Sequence, residues 1–251
     1  MLLTIDVGNT NTVLGLFEGE RLHKSWRIAT DSRTPADELA LKFQGLLRDE
    51  LITGVALCST VPAVLREMRT MLDRYYADIK RVVVEPGTKT GVPILTDNPK
   101  EVGADRIVNT LAAFHEYGGP AIVVDFGTST NLDVVSSKGE FLGGALAPGV
   151  EISIEALASR AAQLRKVEIT KPKHVIGKNT VEALQSGAIY GFAGQVDGLV
   201  NRIKAELGEP ISAVIATGGL AGIVVPESST ITHHDPNLTL TGLRLVFERN
   251  Q

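Results

Sequence analysis

The sequence predicts an α/β protein built from two copies of one unit, and three observations carry the prediction. Apolar, β-branched runs alternate with stretches of helical period, the pattern of sheets flanked by helices. The run Leu2-Leu-Thr-Ile-Asp6-Val-Gly8-Asn9 is answered by Ala121-Ile-Val-Val-Asp125-Phe-Gly127-Thr128. After each come a second strand, a glycine turn (Gly19, Gly139) and a third strand, so the order repeats as well as the motif.

Each element has its own signal. Leu2 to Asp6 reads as a buried strand, Val7-Gly8-Asn9-Thr10 as a turn, and Thr12 to Phe17 and Leu22 to Ala29 as strands around Gly19. Pro35 opens an amphipathic helix with Leu39, Phe43, Leu46 and Leu47 on one face. A strand (Gly54 to Cys58), a helix (Ala63 to Tyr76) and a strand (Arg81 to Val84) follow. Glu85 to Pro99 is rich in Gly, Pro, Thr and Asp and reads as a connection, giving expected domains at 1–98 and 99–251. The second half opens on a helix from about Glu101 to Tyr117, closed by Gly118-Gly119-Pro120. Ala213 to Ala216 is a late strand, and Ala188 to Val200 a helical stretch whose apolar residues could supply a self-complementary contact.

Composition limits the function. The chain has 251 residues, 43% hydrophobic and 22% charged, with a net charge of -4 and no basic stripe, so a nucleic-acid partner is not expected. An anionic ligand would be met by backbone amides, a metal and a few focused cations. The single cysteine, Cys58, rules out an internal disulfide and fits a reducing, cytoplasmic setting. Asp6 interrupts the N-terminal apolar run too early for a secretory signal core. No apolar run reaches the roughly 20 residues needed to span a bilayer, so no membrane partner is expected.

Four motifs can carry chemistry. Asp6-Val-Gly-Asn-Thr-Asn-Thr12 places a carboxylate at a strand end beside a glycine turn, where amides can approach phosphate and the carboxylate can hold Mg²⁺. An Asp-Gly hairpin with an incidental carboxylate is the structural alternative. Asp125-Phe-Gly-Thr-Ser-Thr130 has the same two readings, but its equivalent position in the second half favours paired phosphate hairpins, with Asp6 and Asp125 across a shared cleft. Thr217-Gly218-Gly219, after an apolar strand, permits close approach of a flat ligand such as a nucleotide, or is a tight strand-to-helix turn. Gly103-Ala104-Asp105-Arg106 offers a base for a substrate hydroxyl and a cation for a carboxylate or phosphoryl group, or is a solvated helix surface.

Together with Asn98-Pro99, Gly143-Gly144, Pro148-Gly149, Gly177-x-Asn-Thr180 and Leu238-Thr-Leu-x-Gly242-Leu, these motifs resemble the type III pantothenate kinases, in order, from residue 1 to about 250. Two phosphate hairpins followed by strand-Thr-Gly-Gly is also the order of the actin, sugar kinase and Hsp70 superfamily. The resemblance implies two duplicated ribonuclease H-like (actin-like ATPase) domains with an interdomain nucleotide cleft. It implies a homodimer that transfers the ATP γ-phosphate to pantothenate, the first step towards coenzyme A. Asp6, Val7, Gly8, Asn9, Thr10, Asn11, Thr12 and Val13 would then bind ATP phosphates with Mg²⁺, and Thr128 would also contact ATP. Asp105 would be the general base, and Gly103, Ala104, Asp105, Arg106 and Thr180 would hold pantothenate. Asp125 would be the ligand of a monovalent cation, K⁺ or NH₄⁺, in place of a second Mg²⁺.

Three positions depart from the family pattern. Thr96 stands where Tyr is common, Ser129-Thr-Asn131-Leu-Asp133 replaces Ala-Thr-Thr-Phe-Asp, and Leu164-Arg165 replaces Leu-Pro. Thr96 and Asn131 keep open a catalytically silent member acting in regulation or binding, and a kinase for another small hydroxyacid is a further alternative. His233-His234-Asp235 suggests a metal site, but adjacent strand side chains point opposite ways. Trp26 and Phe17 read as packing residues and Cys58 as a small buried apolar one.

Overall fold

The structure is a computed structural model that describes residues 1–161 and 167–251; Leu164-Arg165 lies outside the described residues. The first sheet is built from β1 (Leu2–Val7), β2 (Asn11–Glu18), β3 (Arg21–Ala29), β4 (Gly54–Ser59) and β5 (Lys80–Val83), in the order β3-β2-β1-β4-β5. β1 pairs antiparallel with β2 and parallel with β4. The second sheet has β6 (Ala121–Phe126), β7 (Ser129–Val135), β8 (Phe141–Pro148), β9 (Ala213–Thr217) and β10 (His233–His234), in the order β10-β9-β6-β7-β8. β6 takes the place of β1, with an antiparallel hairpin on one side and parallel strands on the other. The repeat read in the sequence is therefore a repeat of topology.

The helices follow from where apolar residues fall. α1 (Ala36–Leu47) and α2 (Pro62–Tyr75) bury Leu39, Phe43 and Leu47, and Val64, Met68 and Met71, in one cluster with Leu3, Ile5, Val7 and Leu14. Trp26 packs at its margin. Strand alternation turns Thr4 and Asp6 to the opposite face. A Cβ at Gly15, on that face, would lie 2.9 Å from Leu240 of the C-terminal helix, α6 (Leu238–Arg249). Pro99–Glu101 forms a short 3-10 turn and α3 (Ala104–Tyr117) begins only after Gly103, three residues later than the helical period suggests, because Pro99 and Gly103 break the first turn.

In the second half, Ile122, Val124, Phe126 and Leu132 meet α4 (Val150–Arg160) and α5 (Thr180–Leu207). The apolar residues of α5 that suggested a self-complementary contact (Ala188, Ala193, Val196 and Val200) are instead buried in this core. The compact units comprise 1–92, 98–112 and 238–251 in one, and 93–97 and 113–237 in the other. A single cut at residue 98 would assign 99–112 and 238–251 to the second unit; they cluster with the first, where a Cβ at Gly242 would lie 2.2 Å from the Val108 carbonyl oxygen. Among the described residues no helix is long and apolar enough to cross a membrane.

Candidate functional site

Asp6 is the next-to-last residue of β1, in register with Val13 across the hairpin and with Cys58 on β4. The turn is tied by Gly8 N–H donating to the Asn11 carbonyl at 3.0 Å, and its outer edge by Thr60 N–H donating to the Val7 carbonyl at 3.0 Å. Thr12 and Thr30 hydroxyls meet at 2.9 Å below it. Asn9 and Thr10 are left exposed at the tip, so the turn offers polar groups at the C-terminal end of the central strand, where ligands bind in α/β sheets.

Two carboxylates share this unit. Burial raises the Asp6 pKa to about 6, the nearby negative charge of Asp105 adds to the rise, and a hydrogen bond from Cys58 and the charge of Arg27 oppose it. Asp105 lies in the first turn of α3, and burial raises its pKa as well, opposed by the Arg106 amide and charge. Arg106 N–H donates to Asp105 Oδ1 at 2.9 Å, and a Cβ at Gly103 would come within 2.5 Å of the same oxygen. The glycine is what lets the carboxylate fold back over its own helix start. The arrangement is a pair of part-buried carboxylates that cannot both be comfortably ionised without a cation.

In the second unit, Asp125 stands beside Asn131 on β7 and Thr217 on β9. The second hairpin is closed by Gly127 N–H donating to the Ser129 carbonyl at 3.0 Å. Gly149 N–H donates to the Thr128 carbonyl at 3.0 Å, and a Cβ there would lie 2.4 Å from that oxygen. Gly218 has φ +93°, and a Cβ there would lie 2.4 Å from Asp125 Oδ1. Asp125, Thr128, Thr217-Gly218 and Pro148-Gly149 are thus brought together by bare backbone. Asn131 is 7% exposed and its Oδ1 accepts no hydrogen bond among the described residues, an acceptor turned towards a buried place on the strand beside Asp125.

Thr180 is exposed in the first turn of α5, after an Asn179 cap whose Oδ1 accepts from the Glu182 amide at 2.9 Å, while Glu182 Oε2 accepts from Lys178 at 2.9 Å. The Gly177-x-Asn-Thr180 motif therefore also caps α5, Asn179 taking the Glu182 backbone amide and Glu182 the Lys178 backbone amide. Thr96 is half-buried, its methyl 3.8 Å from where a Gly143 Cβ would stand. His233 Nδ1 meets the Thr232 hydroxyl at 2.8 Å and its ring lies on Tyr117, whose hydroxyl donates to Asp235 at 3.3 Å. Sequence reasoning missed two contributors: Cys58, which donates to Asp6 Oδ1 at 3.3 Å, and Arg27, whose charge acts on Asp6. The signal for Cys58 lies in strand register, which links positions 52 residues apart.

The family model for type III pantothenate kinase matches residues 2–202. The chain is 70% identical over 250 residues to a type III pantothenate kinase of Frankia alni, with all of both chains covered. It is 64% identical to that of Streptomyces coelicolor, covering 100% of this chain and 98% of the relative. Among solved structures, a ROK hexokinase of Thermus thermophilus aligns with a TM-score of 0.55 at 14% identity, covering 100% of this chain and 99% of that one. A ROK family protein of Streptococcus pneumoniae aligns with a TM-score of 0.55 at 13% identity, with 100% and 99% covered. These likenesses bear on fold, and with the repeated sheet they give the duplicated ribonuclease H-like, actin-like architecture. On the full-length identities and the matched model, the chain belongs to the type III pantothenate kinase family.

Proposed function

We propose that this chain transfers the γ-phosphate of ATP to the primary hydroxyl of pantothenate, the first step of coenzyme A synthesis. The observation that carries the reading is the Asp6–Asp105 pair, two carboxylates of raised pKa at a glycine turn and a helix start in one unit. The residues from Asp6 to Val13 bind the ATP phosphates and Thr128 adds a further ATP contact. Gly103 to Arg106 and Thr180 hold pantothenate, with Arg106 suited to its carboxylate. Asp105 takes the hydroxyl proton as the oxygen bonds to the γ-phosphorus and the bond to the β–γ bridging oxygen breaks, releasing ADP.

Asp6 fits Mg²⁺, which is usually bound through one or two carboxylates and the substrate phosphates; Mg²⁺ supplies neutralisation of phosphate charge. Asp125 fits K⁺ or NH₄⁺, because its neighbour Asn131 offers a buried amide oxygen lacking a donor. We also propose a cytoplasmic homodimer. Its support is the outer face of α5, where Gly187, Gly191, Gly194 and Gly198 are exposed and a Cβ at each would meet nothing within 4 Å. Each glycine costs about 1 kcal/mol in a helix interior, a cost that close approach of a second helix would offset.

The test is ADP release by purified protein with pantothenate, Mg²⁺-ATP and KCl. Turnover that needs pantothenate and falls when K⁺ is replaced by Na⁺ is the expected result. No ADP release at millimolar substrates would leave a silent family member, and equal rates in every salt would remove the cation from Asp125.

A further inference from the structure

We infer that Cys58 is a positioning residue for the Asp6 carboxylate: its thiol holds Oδ1 against β4 so that Oδ2 is presented at the phosphate turn. The inference rests on the kinase reading given above. Cys58 is fully buried in β4, in direct register with Asp6 on β1, and its Sγ donates to Asp6 Oδ1 at 3.3 Å.

The tether has a physical task. Asp6 and Asp105 repel each other where water is partly excluded, and a carboxylate on two soft side-chain torsions relieves that repulsion by rotating away. A donor on the adjacent strand stops the rotation without adding a charge. A thiol is a weak donor, so it fixes direction while leaving the carboxylate's charge available to a cation. The second sheet repeats the register: Thr217 occupies the position beside Asp125 that Cys58 holds beside Asp6. Each hairpin carboxylate thus has a small side chain with a donor hydrogen beside it on the parallel strand, so the thiol's value at position 58 lies in its hydrogen rather than in sulfur chemistry.

The experiment uses the full chain and two substitutions, Cys58→Val, which fills the space without a donor, and Cys58→Ser, which restores one. Mg²⁺-ATP affinity is measured by calorimetry, KM for both substrates by ADP release, and folding by melting temperature. Cys58→Val is expected to weaken Mg²⁺-ATP binding about two- to tenfold, the worth of one hydrogen bond, leaving the KM for pantothenate in place. Cys58→Ser should recover most of that loss, which a purely packing role would not produce. Because the chain has one cysteine, its S–H infrared band reads the contact directly: it should be displaced in the parent and return in Asp6→Ala. Parent-like Mg²⁺-ATP affinity in Cys58→Val, or an S–H band indifferent to Asp6→Ala, overturns the inference while leaving the kinase reading standing. A parent that binds no Mg²⁺-ATP overturns both.

Discussion

Replacing Asp6 by Asn should make the ligand-free protein more stable while weakening its hold on ATP. The Asp6 pKa stands at about 6 against an ordinary 3.8, which corresponds to about 3 kcal/mol of preference for the neutral form. The folded chain therefore binds this proton more tightly than the unfolded chain. The contribution of Asp6 to stability is highest with the proton on, falls as pH rises from about 4 to about 6, and stays low above that. Asn is neutral throughout, nearly the same shape, and still accepts from the Cys58 thiol, so the penalty disappears at pH 8 and is absent in both proteins near pH 4. Asp6 is partly solvated, so a gain of about 1–3 kcal/mol is realistic, or about 3–10 °C in melting temperature for a chain of this length. Thermal melts at pH 8 and about pH 4.5, with and without Mg²⁺-ATP, make the assay. Asp6→Asn should melt higher than the parent at pH 8 without ligand and about the same at low pH, and should gain less from Mg²⁺-ATP. A lower melting temperature at pH 8, or the same gain at both pH values, would refute the idea that Asp6 carries a burial and repulsion penalty.

Asp105→Asn keeps the shape at the start of α3 but cannot take a proton, so kcat should fall about 10²–10⁴-fold while ATP affinity stays near that of the parent; near-full turnover would make the Gly103–Arg106 segment a substrate clamp only. The same substitution removes the charge that helps raise Asp6, so the pH window over which Asp6→Asn gains stability over its own background should move down, measurable in the same melts. Gly194→Leu fills the open face of α5 and should shift sedimentation at micromolar concentration from dimer towards monomer without lowering the melting temperature of the monomer; an unchanged dimer would place the interface elsewhere.

How much was legible in the sequence can be judged from particular residues. The strand from Leu2 and its repeat at Ala121 were readable because a buried strand ending in Asp-x-Gly is a local pattern, and a pattern twice repeated in order is hard to produce otherwise. The first two helices were readable from period and from Pro35; a proline and a glycine shifted the start of α3, and the stretch read at Ala188 to Val200 is the middle of a longer helix, Thr180–Leu207. The family, too, lay in the order of short motifs. What the sequence did not settle was which faces and which distant strands meet. Cys58 read as an apolar filler because its partner is 52 residues away, and only the pairing of β4 with β1 turns its thiol to Asp6. Gly149 stood only in the family pattern and Gly218 read as a turn or a place of close ligand approach, and only packing set them against the backbone and carboxylate of the second hairpin. The apolar residues Ala188, Ala193, Val196 and Val200 of α5 read as a contact surface in the sequence and are core in the fold, since helical periodicity marks a stripe but not what lies against it. In the same way, nothing in Leu238 to Arg249 said which sheet it would cover. Local period, propensity and punctuation are properties of a few neighbouring residues and are written in the chain itself; register, facing and unit membership depend on which distant surfaces exclude water together, and that only the tertiary structure decides.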